Sequence, residues 1–207
     1  MLIVKYLISI IAAYLLGSVS FSILISRFKG SDVRSKGSGN AGATNMARIY
    51  GVGPGILTLF GDAFKAAVAI SIGWFLLGDW GIFTGGLFCL LGHCFPVFYQ
   101  FRGGKGISVG AAMALALDWR VFVTVVVVFF VVALLSRKVS LGSVCAALSI
   151  LIAALAFELS LPRVLLAGLG MALVVFQHRD NIYRLINGTE ADFHAAKSGR
   201  LKDKKVN

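Results

Sequence analysis

From Leu2 onward, long apolar runs alternate with short polar, glycine-rich stretches. Leu2 to Phe28 is interrupted only by Lys5, and Val52 to Leu77 carries Asp62 and Lys65 in its interior. Trp80 to Phe101, Trp119 to Ser136, Val139 to Leu159 and Leu161 to Gln177 are further runs, with a shorter one from Ile107 to Leu117. A bilayer core takes roughly 20 apolar residues per helix, with a range of about 17–25. The pattern therefore predicts an all-α, polytopic integral membrane protein with seven transmembrane helices. The fourth, Ile107 to Leu117, has the length of a re-entrant hairpin or a thin helix. The first run has no small-residue cleavage site and is long for a signal peptide, so it reads as a retained helix. No repeat of 20–50 residues and no low-complexity linker divides the chain, so residues 1–207 read as one domain.

Composition strengthens this reading. The chain is 58% apolar and 14% charged, against roughly 45–50% and 25% in a soluble domain, and it is far too apolar for intrinsic disorder. The net charge of +11 raises the question of nucleic acid, and the placement of the cations answers it. Of the 20 Lys and Arg residues, 16 fall in alternate loops: Arg27–Gly51, Tyr99–Gly106, Arg137–Lys138 and the tail from His178. Only Lys5, Arg120 and Arg163 lie on the other side, and Lys65 is within a run. This is the positive-inside bias. It predicts seven crossings with the amino terminus outside and the carboxyl terminus cytoplasmic, and no nucleic-acid partner. Cys89, Cys94 and Cys145 all sit in apolar runs and read as free buried thiols, and the scattered His93, His178 and His194 offer no metal cluster.

Three loops on the basic side are richer than connectors need to be. The first runs Gly37-Ser38-Gly39-Asn40-Ala41-Gly42-Ala43-Thr44-Asn45 and reaches Arg48. Its glycines let backbone N–H groups approach an anion. Ser38, Asn40, Thr44 and Asn45 add neutral hydrogen-bonding groups, and Arg48 adds a guanidinium fork suited to phosphate. The GxxxxGK[ST] spacing of a Walker loop is absent. The second loop passes from His93 and Pro96 to Gly103-Gly104-Lys105-Gly106, which sets one ammonium on bare backbone just before a helix start. His93 itself reads as a helix-end side chain satisfying a backbone carbonyl. In the third, His178, Asn181 and Arg184 recur three apart and share a helix face, with Glu190 further on. Asp62 and Lys65, i and i+3 within a run, read as an ion pair knitting the bundle, because lone intramembrane charges are costly. Ser136, Ser140 and Ser143 flank the Arg137–Lys138 loop.

Together the loops predict a cytosol-facing cleft for phosphate-type anions, with a greasy path beside it. No Ser-His-Asp grouping or carboxylate pair points to hydrolysis. No histidine is followed five positions on by aspartate, as acyl-CoA acyltransferases require. A transporter of organic phosphates would share the basic clefts but should show internal repeats and broken helices near the midplane.

GSGNAGATN with Arg48, GHCFPVF…FRGGKG and HRDNIYRLINGTE resemble the three motifs of the bacterial membrane glycerol-3-phosphate acyltransferases that use acyl phosphate, the PlsY family. The resemblance covers nearly the whole chain. It implies transfer of a fatty acyl group from acyl phosphate to the 1-hydroxyl of glycerol 3-phosphate, without a cofactor, in the bacterial cytoplasmic membrane. It implies catalytic roles for Ser38, Arg48, Lys105, His178 and Asn181. It implies substrate contacts for Thr44, Ser143 and the glycines Gly103, Gly104 and Gly106, beside Asn40 and Asn45 of the first loop. Ala41 stands where the family often has Pro, Ala66 where it often has Gly, and Asp180 where it often has Glu. The motifs leave the oligomeric state open, and a monomer is compatible with them.

Overall fold

The computed structural model describes residues 1–192, so His194 and the tail cations Lys197, Arg200, Lys202, Lys204 and Lys205 lie outside the described residues. Among the described residues every regular element is helical. The helices are α1 (Leu2–Ser18), α2 (Phe21–Phe28), α3 (Ala43–Tyr50), α4 (Val52–Leu77), α5 (Asp79–Cys94), α6 (Ile107–Leu117), α7 (Trp119–Ser136), α8 (Val139–Ala156), α9 (Leu161–Gln177) and α10 (Arg179–Ile186). Short 3₁₀ turns occupy Val33–Ser35 and Val97–Tyr99. Five stretches among the described residues are long and apolar enough to cross a bilayer, and α9 with α10, bent by 61°, makes a sixth if the pair is one span. The helix α6 is apolar but shorter. The helix α7 buries only Val121 and turns Phe130, Leu134 and Leu135 outward. So large an apolar face belongs in lipid.

Small residues bring the central helices together. Gly17 of α1 lies against the backbone of Cys89 on α5, and Gly92 lies against the carbonyl of Tyr14. Gly73 of α4 and Gly81 of α5 face one another in the same way. Lipid offers no hydrophobic force between helices, so close backbone approach through such residues carries much of the packing. Around this centre, Cys89, Leu90, Val109, Met113, Leu117, Val121 and Leu166 form one core in which α6 is buried between its neighbours.

Two of the predicted runs are divided. Leu2 to Phe28 breaks at Val19 and Ser20, where Ser20 caps α2 by accepting from the Ile23 N–H at 3.5 Å. The carbonyls freed by the break are satisfied from α4: the Lys65 ammonium donates to Gly17 O at 2.9 Å and also to Val19 O. The run from Trp80 ends as a helix at Cys94 rather than Phe101, because Pro96 has no N–H to continue the ladder. Tyr14 Oη donates to Phe95 O at 2.8 Å, and the Val97 N–H donates to Ser18 Oγ at 3.3 Å. These bonds tie the end of α5 to the break in the first run. The run from Val139 likewise ends early, at Ala156, with Glu158 in a left-handed conformation (φ 53°).

Candidate active site

The loop before α3 is organised around one buried side chain. Asn45 is 1% exposed. Its Oδ1 accepts from the Ser38 N–H at 3.0 Å, and its Nδ2 donates to the carbonyls of Val33 (3.2 Å), Lys36 (3.1 Å) and Asn40 (3.1 Å). Gly37 and Gly39 take left-handed φ values of 60° and 71°, and a Cβ on Gly37 would overlap Asn45 Oδ1. Asn45 thus spends its polar atoms within the protein and shapes the loop, leaving Ser38 exposed and Asn40, Thr44 and Arg48 half-buried at its rim. Among the described residues the Arg48 guanidinium has no ion pair or hydrogen bond. The loop is anchored from behind by Arg34, which pairs with Asp32 at 2.8 Å and donates to Tyr99 O at 2.9 Å.

The second loop folds back onto the end of α5. The Gly103 N–H donates to Cys94 O at 3.2 Å and the Gly104 N–H to His93 O at 3.1 Å. Any Cβ on Gly104 would overlap His93 Nε2 and would lie 2.7 Å from Ala41 O, so this glycine is where the first and second loops touch. Gly106 (φ 86°) then starts α6. Lys105 is half-buried and donates to Asn181 Oδ1 on α10. Desolvation, with the nearby Arg184 cation, holds its ammonium below the ordinary lysine pKa.

The third segment is placed by the bend between α9 and α10. His178 sits at that bend, buried, with Nδ1 2.8 Å from Val174 O. A carbonyl only accepts, so Nδ1 carries the proton and Nε2 keeps its lone pair. Burial also holds this imidazole below the usual histidine pKa. Asn181 Nδ2 donates to Glu190 Oε1 at 2.7 Å, and Arg184 Nε donates to Glu190 Oε2 at 2.7 Å. Partial burial pushes the Glu190 carboxyl up, but hydrogen bonds from its neighbours, Asn181 and Arg184 among them, outweigh this and leave it below the usual range. Gln177 Nε2 reaches Gly104 O at 3.4 Å and closes the contact between the second and third segments.

The structure thus joins Lys105 directly to Asn181, and Gly104 to both other loops. Arg184 donates to Glu190 while His178 Nδ1 faces its own helix, and both side chains act electrostatically on the same Lys105. Ser143 is buried on α8, and its hydroxyl donates to Val139 O at 2.9 Å. It makes no hydrogen bond to the other predicted site residues. Cys89 and Cys94 are buried free thiols, whereas Cys145 is only half-buried. Glu190 is a site residue that the sequence signals only as an acid in a segment otherwise rich in Arg. The sequence predicts His93 to satisfy a backbone carbonyl; in the structure its ring meets Lys65 Nζ at 3.1 Å.

A multi-pass helical membrane protein with two half-buried cations on a glycine-rich backbone at one end of its bundle is equipped to hold phosphate-type anions beside lipid. Comparison with known proteins agrees. Residues 7–188 match the family described as glycerol-3-phosphate acyltransferase. The chain is 40% identical to the glycerol-3-phosphate acyltransferase of Carboxydothermus hydrogenoformans over 195 residues, 93% of this chain and 99% of that one. It is 36% identical to the enzyme of that name from Aquifex aeolicus over 191 residues, covering 91% of this chain and 100% of the other. It superposes with a TM-score of 0.88 on a crystal structure of PlsY (YgiH), an integral membrane glycerol 3-phosphate acyltransferase, in its glycerol 3-phosphate form. That pair is 36% identical, over 91% of this chain and 96% of that one. The lysophosphatidic acid form gives 0.84, at 34% identity. The chain belongs to the glycerol-3-phosphate acyltransferase family.

Asn45→Ala removes four hydrogen bonds and leaves buried partners unmet, which should cost about 2–4 kcal/mol. A clearly lower melting temperature in detergent is expected, and an unchanged one would show that the loop holds without this side chain.

Proposed function

We propose that this protein transfers a fatty acyl group from acyl phosphate to the sn-1 hydroxyl of glycerol 3-phosphate, giving 1-acylglycerol 3-phosphate and inorganic phosphate. This is the first acylation of phospholipid synthesis. The observation that carries the reading is the meeting of the three loops, with Lys105 bound to Asn181, Gly104 against Ala41, and Arg48 unpaired among the described residues. Family membership and the two superposable structures, one in a glycerol 3-phosphate form and one in a lysophosphatidic acid form, point the same way.

Acyl phosphate is already activated, so the protein's task is to hold two phosphates close without letting them repel. Arg48 and Lys105 neutralise that charge, and the backbone at Gly103, Gly104 and Gly106 admits a phosphate closely, as Ser38, Asn40 and Thr44 do by hydrogen bonds. Positioning and fixed charge then supply most of the rate. The glycerol hydroxyl oxygen attacks the acyl carbonyl carbon, the bond from that carbon to the phosphate oxygen breaks, and the hydroxyl proton passes to a substrate phosphate oxygen. His178 and Asn181 orient the reactants. His178 is a weak base here, because its Nδ1 faces a carbonyl rather than a carboxylate and burial disfavours its cation. An acyl-enzyme on Ser38 is the rival route.

In this reading the chain crosses a bacterial inner membrane seven times, α6 included, with the amino terminus outside, the carboxyl terminus cytoplasmic, and the site facing the cytosol. Monomers suffice, and membrane lipids surround the helices. A transporter reading needs open backbone at a broken helix, and the break at Val19 has its carbonyls taken by Lys65.

Purified protein in detergent should release phosphate only when acyl phosphate and glycerol 3-phosphate are both present, and Arg48→Ala should lower kcat/KM by about 100-fold or more. Organic phosphate flux in vesicles without phosphate release would favour a transporter. Because burial lowers the Lys105 pKa, its positive charge is lost as pH rises at a lower pH than for a free lysine, at about 10.4. kcat/KM should fall on the alkaline side below that value, and Lys105→Arg should move the fall upward; a profile identical in the two proteins would exclude Lys105 as the titrating group. For orientation, cysteines introduced at Arg163 and at Arg137 in a cysteine-free background should react with an impermeant reagent from outside and only after permeabilisation, respectively. The reverse pattern would invert the topology.

A further inference from the structure

The mechanism leaves unused the most deeply buried charges of the molecule. Asp62 and Lys65 lie one turn apart on α4, with side chains 0% and 4% exposed and Nζ 2.8 Å from Oδ1. Neither oxygen of Asp62 makes a directed hydrogen bond, so the carboxylate contributes charge balance. The Lys65 ammonium does more. It donates to the carbonyls of Gly17 and Val19 at the break in the first run, and it meets His93 Nδ1 at 3.1 Å. An ammonium has no lone pair, so His93 Nδ1 is the acceptor and the imidazole proton sits on Nε2. The Nε2 end of the ring packs against Gly104, leaving no room for a Cβ there. The carbonyl of the same histidine accepts the Gly104 N–H at 3.1 Å. His93 thus holds Gly104 by backbone and by ring, one residue from Lys105. A pair that only knitted the bundle would need no third contact leading to the second loop.

We propose that Lys65 and His93 are positioning residues for the Gly103–Gly106 backbone. Lys65 fixes the orientation and tautomer of the imidazole, and the imidazole sets the height of Gly104 and hence the place of Lys105 relative to a bound phosphate. The kinetic readout rests on the acyl-transfer reading; the structural readout does not.

The test uses His93→Asn, which keeps an acceptor facing Lys65 but deletes the part of the ring against Gly104. It also uses Asp62→Leu/Lys65→Met, which removes both charges so that no lone ion stays buried. In each, KM for glycerol 3-phosphate should rise about tenfold while kcat stays within about twofold. Backbone hydrogen exchange should quicken at Gly103 and Gly104, with α7 and α8 unchanged. Combining all three substitutions should raise KM no further than either variant alone, because the residues act in series. Additive effects, unchanged KM and exchange, or a uniform loss of protection across the bundle would each overturn the proposal. If the wild-type protein releases no phosphate from the two substrates together, the acyl-transfer reading fails, and local exchange at Gly103 and Gly104 still decides the positioning role.

Discussion

A charged amine in the middle of a helical bundle must find acceptors, and the architecture around the loops is arranged to give Lys65 its own. On insertion scales a lone intramembrane charge costs about 2.5–3.5 kcal/mol. Asp62 balances that charge, and the carbonyls of Gly17 and Val19, freed by breaking a helix, supply directed bonds. One ammonium therefore touches α1, the start of the α2 segment, α4 and α5. The break in the first run is the complement of Lys65 rather than a defect: carbonyls that have lost their helical partners are good acceptors for a cation, and the cation in turn makes the break tolerable in lipid.

Glycine governs the rest of the site. Gly104 lets two loops and a histidine ring share a space that any side chain would fill, and Gly37 and Gly39 adopt left-handed turns that let Asn45 gather four backbone groups. In these loops the bonds of Asn45 and the amides of Gly103 and Gly104 are directed inward. The consequence is division of labour. Asn45 and Glu190 are occupied with shape, Asn181 with Lys105 and Glu190, and Arg48 remains a cation without a protein partner among the described residues.

Much of this was legible from the chain. Val52–Leu77, Ile107–Leu117, Trp119–Ser136 and Leu161–Gln177 end as helices where their apolar runs end. The three polar segments announced themselves by glycine, amide and cation together, a combination that no bilayer span tolerates. The break at Val19 lies among Gly17, Ser18, Ser20 and Ser22, small residues that a bilayer helix also accommodates, and the cation that satisfies its carbonyls lies 46 positions away on α4, so the run read as continuous. Nor could the spacing of His178, Asn181 and Arg184 show that Glu190 draws two of them while a carbonyl one turn back takes the third.

Sequence by itself determined the class of molecule, the alternation of greasy segments with polar loops and the residue types of those loops, because hydropathy and loop chemistry are local properties of the chain. Tertiary structure decided the partners: which carbonyls accept hydrogen bonds from Lys65, which amide holds Lys105, and which asparagine organises a loop. Hydrogen-bond partnership depends on distance and direction between segments far apart in the chain, and neither is fixed until the helices have packed.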